Sequence, residues 1–130
     1  MKITREADYA LRIVSRLAQQ SNQMEAKAIA EKNDIPYRFT LKILRKLVQA
    51  GYLKSYRGVN GGYALCRPAE KITLKNIIEV IDGPIALNIC LGGDTCANNV
   101  ECRVKKKLAA IQNNLVEELD SVTFKDIIDG

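Results

Sequence analysis

Residues 35–65 read IPYRFTLKILRKLVQAGYLKSYRGVNGGYAL. The first half of this stretch has a helical period. Thr40, Ile43, Leu44, Leu47 and Val48 recur at three- and four-residue steps, which places them on one face. Pro36 suits the first position of such a helix, where its missing N–H would have no partner in any case, and Gly51 suits its end. The second half changes character. YLKSY (52–56) and GYALC (62–66) are short strand candidates on either side of RGVNG, so they read as a hairpin with a glycine-rich tip that Pro68 closes.

The flanks extend the pattern. Upstream, EAKAIAEKN (25–33) is a short helix with Ala26, Ile29 and Ala30 inward, broken by the turn formers Asn33 and Asp34. Before it, ADYALRIVSRLAQ (7–19) carries Ala7, Ala10, Leu11, Val14, Leu17 and Ala18 as one apolar stripe. Thr4 can cap that helix, with Glu6 and Asp8 well placed in its first turns. Downstream, TLKNIIEVIDG (73–83) is a helix capped by Thr73, with Leu74, Ile77, Ile78 and Ile81 inward and Gly83-Pro84 as its stop. A loop rich in cysteine follows, then a long helix over roughly 103–120 and a last short one in TFKDIID (123–129).

Short helix, turn, helix and two-stranded hairpin, in that order, make a winged helix-turn-helix. The expected fold is mainly α with a small β-hairpin wing and a long C-terminal helix, a dimerisation helix if its apolar seam packs on a second copy. Residues 1–84 form the DNA-binding unit, 85–102 the cysteine loop, and 103–130 the dimerisation helix and C-terminal segment, all in one compact unit. A helix fits the major groove of DNA, where Arg, Lys, Asn and Thr can read base edges. The helix from Pro36 offers Tyr37, Arg38, Lys42 and Arg45 on its exposed side. The wing offers Lys54, Ser55, Arg57 and Asn60, and Arg57 before Gly58 can enter a narrow minor groove, where the negative potential is enhanced.

Charge agrees with this division. The chain of 130 residues is formally +5 at pH 7. Residues 1–68 carry thirteen Lys/Arg against five Asp/Glu, a net of +8, whereas residues 69–130 carry seven against ten, a net of −3. Only the first half is suited to a polyanion. No run of eighteen apolar residues is present, so no membrane partner is expected. The start MKITREADYALR has no apolar h-region of a signal peptide. A cytoplasmic location is expected, where clustered cysteines are metal ligands or redox groups more often than structural disulfides. No nucleophile–base pair and no Gly-rich phosphate loop is visible, so an enzyme is not expected.

The loop CLGGDTCANNVEC (90–102) holds Cys90, Cys96 and Cys102, each separated from the next by five residues, in a chain without histidine. Zinc sites usually show closer pairs. An iron–sulfur cluster accepts wider spacing and prefers thiolates, and Gly92 and Gly93 let a loop wrap closely. Three ordinary thiols, a redox disulfide pair and a poor zinc site remain alternatives on spacing alone. Cys66, at the end of the second wing strand, reads as a buried, inert thiol outside this set.

The motifs DYALRI (8–13), residues 35–65 quoted above, ITLKNIIEVIDGP (72–84) and the cysteine triplet resemble the IscR/NsrR-type winged-helix transcriptional regulators of the Rrf-two family over essentially residues 1–126. That resemblance implies a dimeric DNA-binding regulator, usually a repressor, acting on a two-fold-symmetric double-stranded operator. The triplet implies the branch that holds an iron–sulfur cluster, 2Fe–2S or 4Fe–4S, and senses redox, nitric oxide or cluster status. The IscR-like fourth ligand is a histidine three residues after the last cysteine. Lys105 stands there. NsrR-like members use a carboxylate near the start of the first helix of the other subunit, which points to Asp8, with Glu6, Asp94 and Glu101 as weaker candidates. Leu41 departs from the glutamate that some IscR-like members use to discriminate operators. The alternative reading is a cluster-free, thiol- or metal-sensing regulator. The seam Val104, Leu108, Ile111, Leu115, Leu119 and Val122 is expected to pack on a second copy or on its own domain.

Overall fold

The computed structural model describes residues 2–87 and 102–130, without the side chain of Cys102. The expected cysteine ligands therefore lie outside the described residues, apart from the backbone of Cys102.

Helix α1 (Arg5–Ala18) is the centre of the molecule. Thr4 caps it by accepting from the Ala7 N–H at 3.1 Å. Its buried face is Ala7, Ala10, Ile13, Val14 and Leu17. Ile13 was not in the expected stripe. It is fully buried, while Leu11 and Ala18 lie half-buried at the margins. The face is wider than the periodicity implied because α1 is contacted from several sides, by α3 (Tyr37–Gln49), the hairpin, α4 (Leu74–Asp82) and α6 (Phe124–Asp129).

Helix α2 (Ala26–Asn33) ends where Asp34 adopts the left-handed conformation, with φ 53°. The Asp34 N–H donates to the Glu31 carbonyl and the Ile35 N–H to the Ala30 carbonyl, at 3.3 and 2.9 Å. This Schellman closure turns the chain and buries Ile35. Pro36 occupies the position before α3 rather than its first turn. Helix α3 buries Thr40, Ile43, Leu44 and Leu47. The Thr40 hydroxyl donates back to the Pro36 carbonyl at 3.2 Å, which satisfies the one buried polar side chain of the described core. Val48 is only half-buried, because it lies at the edge of the α3 core face toward the wing.

Strands β1 (Leu53–Tyr56) and β2 (Gly62–Leu65) pair antiparallel, Leu53 opposite Leu65 and Tyr56 opposite Gly62. Within β1 only Leu53 is buried. A second contact holds the wing down. Met24 and Tyr63 exchange two backbone hydrogen bonds, at 3.0 and 2.7 Å, so the segment before α2 becomes a third partner of the hairpin. Gly62 makes this approach feasible. Its φ is +147°, and a Cβ there would collide with the Met24 carbonyl. Cys66 differs from expectation. It is exposed, because side chains alternate across a strand and Leu65 takes the core side; its N–H still donates to the Tyr52 carbonyl at 3.1 Å and its thiol donates to the Gly51 carbonyl at 3.0 Å.

After a 3-10 turn (Ala69–Lys71), Thr73 caps α4 in a capping box with Asn76. The long helix α5 (Cys102–Ser121) packs against α4. The chain then returns to the winged unit. Leu74 N–H donates to Val122 and Phe124 N–H to Ile72, at 3.0 and 2.9 Å. Phe124 opens α6 fully buried in the same core as Ile13, Ile43 and Ile77. Among the described residues, no helix is long and apolar enough to cross a membrane.

Candidate nucleic-acid interface

Tyr37, Arg38, Lys42 and Arg45 on α3, and Lys54, Ser55, Arg57 and Asn60 on the wing, are all exposed. The apolar face of α3 that anchors Ile43, Leu44 and Leu47 turns Arg38, Lys42 and Arg45 outward, while Tyr37 is exposed as the first residue of the helix. The wing and the helix converge. Arg45 and Ser55 line one groove of about 190 Å³ with Leu41, Val48, Gln49 and Tyr63. The tip is positioned separately: Gln23 Nε2 donates to the Asn60 carbonyl at 2.5 Å, tying it to the segment before α2. Arg57 thus stands on a tip held at both its base and its flank.

Aromatic and apolar groups interleave with the charges. The Arg38 guanidinium lies 5.5 Å from the Phe39 ring and the Lys54 ammonium 5.6 Å from the Tyr56 ring. Tyr37, Phe39 and Tyr56 are substantially exposed, and Val59 is 95% exposed at the tip. Exposed rings and a bare valine between cations suit a surface that meets thymine methyls or sugars as well as phosphates. At the base of the wing, Arg67 stacks 4.5 Å over the Tyr52 ring and donates to the Gly51 carbonyl.

Two features were not anticipated from the sequence. Glu6 on α1 accepts from Lys46 at 3.1 Å and lies 3.8 Å from Lys42, so one of the expected DNA-facing lysines has an acidic neighbour. The Met24–Tyr63 bridge that sets the angle of the wing was likewise unforeseen. The partners are far apart in the chain, so no local pattern carries either contact. The Gly61-Gly62 pair was the one available signal for the second.

Asp8 lies on the open side of α1 and pairs with Arg12 at 3.1 Å. Arg12 also donates to the Asn33 carbonyl at the end of α2, at 3.3 Å. Thr4 Oγ1 donates to Asp82 Oδ1 at 2.6 Å, which ties the start of α1 to the end of α4 and so to the root of the cysteine loop. Among the described residues, no three His, Cys, Asp or Glu side chains converge as a metal site. Lys105, one turn into α5, keeps its Nζ out of solvent with no hydrogen-bond partner among the described residues.

Residues 3–130 match the family model described as Rrf2, iron-dependent transcriptional regulator. An rrf2-like HTH-type transcriptional regulator of Rhodobacter capsulatus is 31% identical, over 97% of this chain and 91% of its own. Among solved structures, the chain is similar to CymR, titled the global cysteine regulator of B. subtilis, with a TM-score of 0.84 and 29% identity over 98% of this chain and 95% of that one. It is also similar to IscR of T. potens, with a TM-score of 0.78 and 27% identity over 99% and 87%.

Proposed function

The chain belongs to the Rrf2 family of transcriptional regulators, which are not enzymes, and on that footing we propose that it is a dimeric repressor whose affinity for a two-fold-symmetric operator is set by an iron–sulfur cluster. Tyr37, Arg38, Lys42 and Arg45 read the major groove, while Lys54, Ser55, Arg57 and Asn60 clamp the neighbouring backbone and minor groove. The observation that carries the DNA half of the reading is that α3 and the wing, each bearing exposed cations, line one groove through Arg45 and Ser55.

The donor chemistry fits a cluster. Three cysteines and no histidine suit iron–sulfur ligation better than zinc. Cys90, Cys96 and Cys102 would hold the cluster, with Asp8 of the other subunit as the fourth ligand. The shielded Lys105 ammonium, one turn from Cys102, is the kind of cation that an anionic neighbour would balance. The cluster would supply a redox- and nitric-oxide-sensitive link, and a carboxylate ligand leaves that link open to attack. The chain's own part is transmission. Thr4–Asp82 and Asp8–Arg12–Asn33 connect the root of the cysteine loop to α1 and α1 to α2.

Val104 and Ile111 are 60% and 55% exposed on α5, while Leu108, Leu115 and Leu119 are half-buried, which supports a second copy packing on this seam. The cluster-free reading, a thiol- or metal-sensing regulator, is favoured by the likeness to CymR, the global cysteine regulator of B. subtilis. Anaerobic purification with absorption and Mössbauer spectra, plus iron and sulfide counts, separates the two. A brown protein whose spectrum is lost in Cys90→Ala supports the cluster. A colourless protein that cannot be reconstituted leaves the cluster-free reading. Operator affinity of the loaded and stripped forms at one salt concentration then tests the coupling; equal affinities sink it.

A further inference from the structure

Lys42 and Lys46 stand one turn apart on α3, where two like charges repel. Glu6 reaches them from α1, forty residues before Lys46 in the chain. Its Oε1 accepts from the Lys46 ammonium at 3.1 Å and lies 3.8 Å from that of Lys42. The Glu6 side chain is only 24% exposed, so solvent screens these pairs less than it would on the open surface. The carboxylate is also firmly placed. It sits in the first turn of α1, whose cap Thr4 is bound to Asp82. The two lysines differ: Lys46 is 35% exposed and within hydrogen-bond distance, whereas Lys42 is 58% exposed and at the edge of ion-pair range.

We propose that Glu6 is a positioning residue for DNA discrimination: it keeps Lys46 as a strut between α1 and α3 and withholds the charge of Lys42 from phosphates, which suppresses sequence-independent binding. This rests on the reading of α3 as the recognition helix. Non-specific affinity comes almost entirely from neutralising phosphates, and each such contact adds about 0.9 to the slope of log affinity against log salt. A lysine that must leave a carboxylate to meet a phosphate exchanges one ion pair for another, so it adds little. Base-edge contacts of Arg38 and Arg45, which pair with no carboxylate among the described residues, do not depend on that exchange. Glu6 therefore lowers the affinity for any sequence more than it lowers the affinity for the right one.

The test is fluorescence anisotropy of the full chain with a labelled duplex of random sequence, across a salt series. Glu6→Gln is expected to bind about threefold more tightly at low salt, with a slope steeper by about 0.9. Adding Lys42→Gln to that variant is expected to return the slope to the wild-type value or below. A purely structural role for Glu6 would change the melting temperature and leave the slope alone. A wild type that binds while Glu6→Gln shows the same affinity and slope overturns the inference but not the DNA-binding reading. A wild type that binds no duplex at any salt overturns both. Should Glu6→Gln fail to fold, Lys42→Gln alone decides: a slope loss well under 0.9 supports the inference, and a loss of 0.9 or more overturns it.

Discussion

Arg57 and Gly62 show how differently two residues of one hairpin act. Arg57 is exposed at the tip, so the role proposed for it is electrostatic and would belong to a complex with DNA rather than to the fold. Arg57→Ala is expected to weaken binding to every sequence and to make the salt slope shallower by about 0.9, leaving thermal unfolding unchanged. An unchanged slope would remove Arg57 from the interface. Gly62 belongs to the fold. With φ at +147° and the Met24 carbonyl in the way of any Cβ, Gly62→Ala is expected to cost about 1–3 kcal/mol in urea unfolding. DNA affinity should fall with it, because the Met24–Tyr63 bridge that sets the wing is disturbed.

The elements are held by their ends as much as by their faces. Thr73 does two things. Its hydroxyl accepts from the Asn76 N–H at 3.2 Å and donates to Asp120 at 3.0 Å, so the cap of α4 is also a tie to α5. Thr73→Ala is expected to lose about 1–2 kcal/mol, a fall in melting temperature of roughly 3–8 °C for a chain of this size. Thr73→Ser keeps both bonds and is expected to restore most of it. If both variants melt like the wild type, the cap contributes nothing. The start of α1 is built the same way. Thr4 caps its own helix and holds Asp82 at the end of α4, so the first turn that carries Glu6 and Asp8 is fixed by the element that leads into the cysteine loop.

Across the whole molecule, the C-terminal segment does not stand apart. Phe124 enters the core beside residues of α1, α3 and α4, and the Thr73–Thr123 bridge joins the two halves of the chain. A helix fastened at its far end to the winged unit, with Val104 and Ile111 bare along its length, would pass the position of the proposed second copy to α3. Ile111→Lys places a charge in that seam and is expected to give a monomer in sedimentation velocity, with affinity for a two-fold operator reduced far more than affinity for a half-site. A dimer of unchanged stability would move the interface elsewhere. The proposed cluster is tested at this scale too: if Cys90 holds it, Cys90→Ala is expected to abolish an iron–sulfur spectrum while leaving unfolding cooperative.

What the sequence by itself determined were features that rest on short range. The three-four spacing of Ile43, Leu44 and Leu47, the Asn33-Asp34 break, the glycine-rich tip and the caps at Thr4 and Thr73 are local requirements, each satisfied by residues within a turn or two. They suffice to specify a winged helix-turn-helix and to name the exposed cations of α3 and the wing. The tertiary structure alone decided how those cations are partnered. Ile13 is buried because α1 is covered from several sides, Cys66 is exposed because its neighbour Leu65 takes the core side of the strand, and Lys42 and Lys46 meet Glu6 across a separation that no periodicity records. The physical reason is the same in each case. Backbone propensity and amphipathic period act along the chain, whereas burial and ion pairing act through space, between residues that only the packed core brings together.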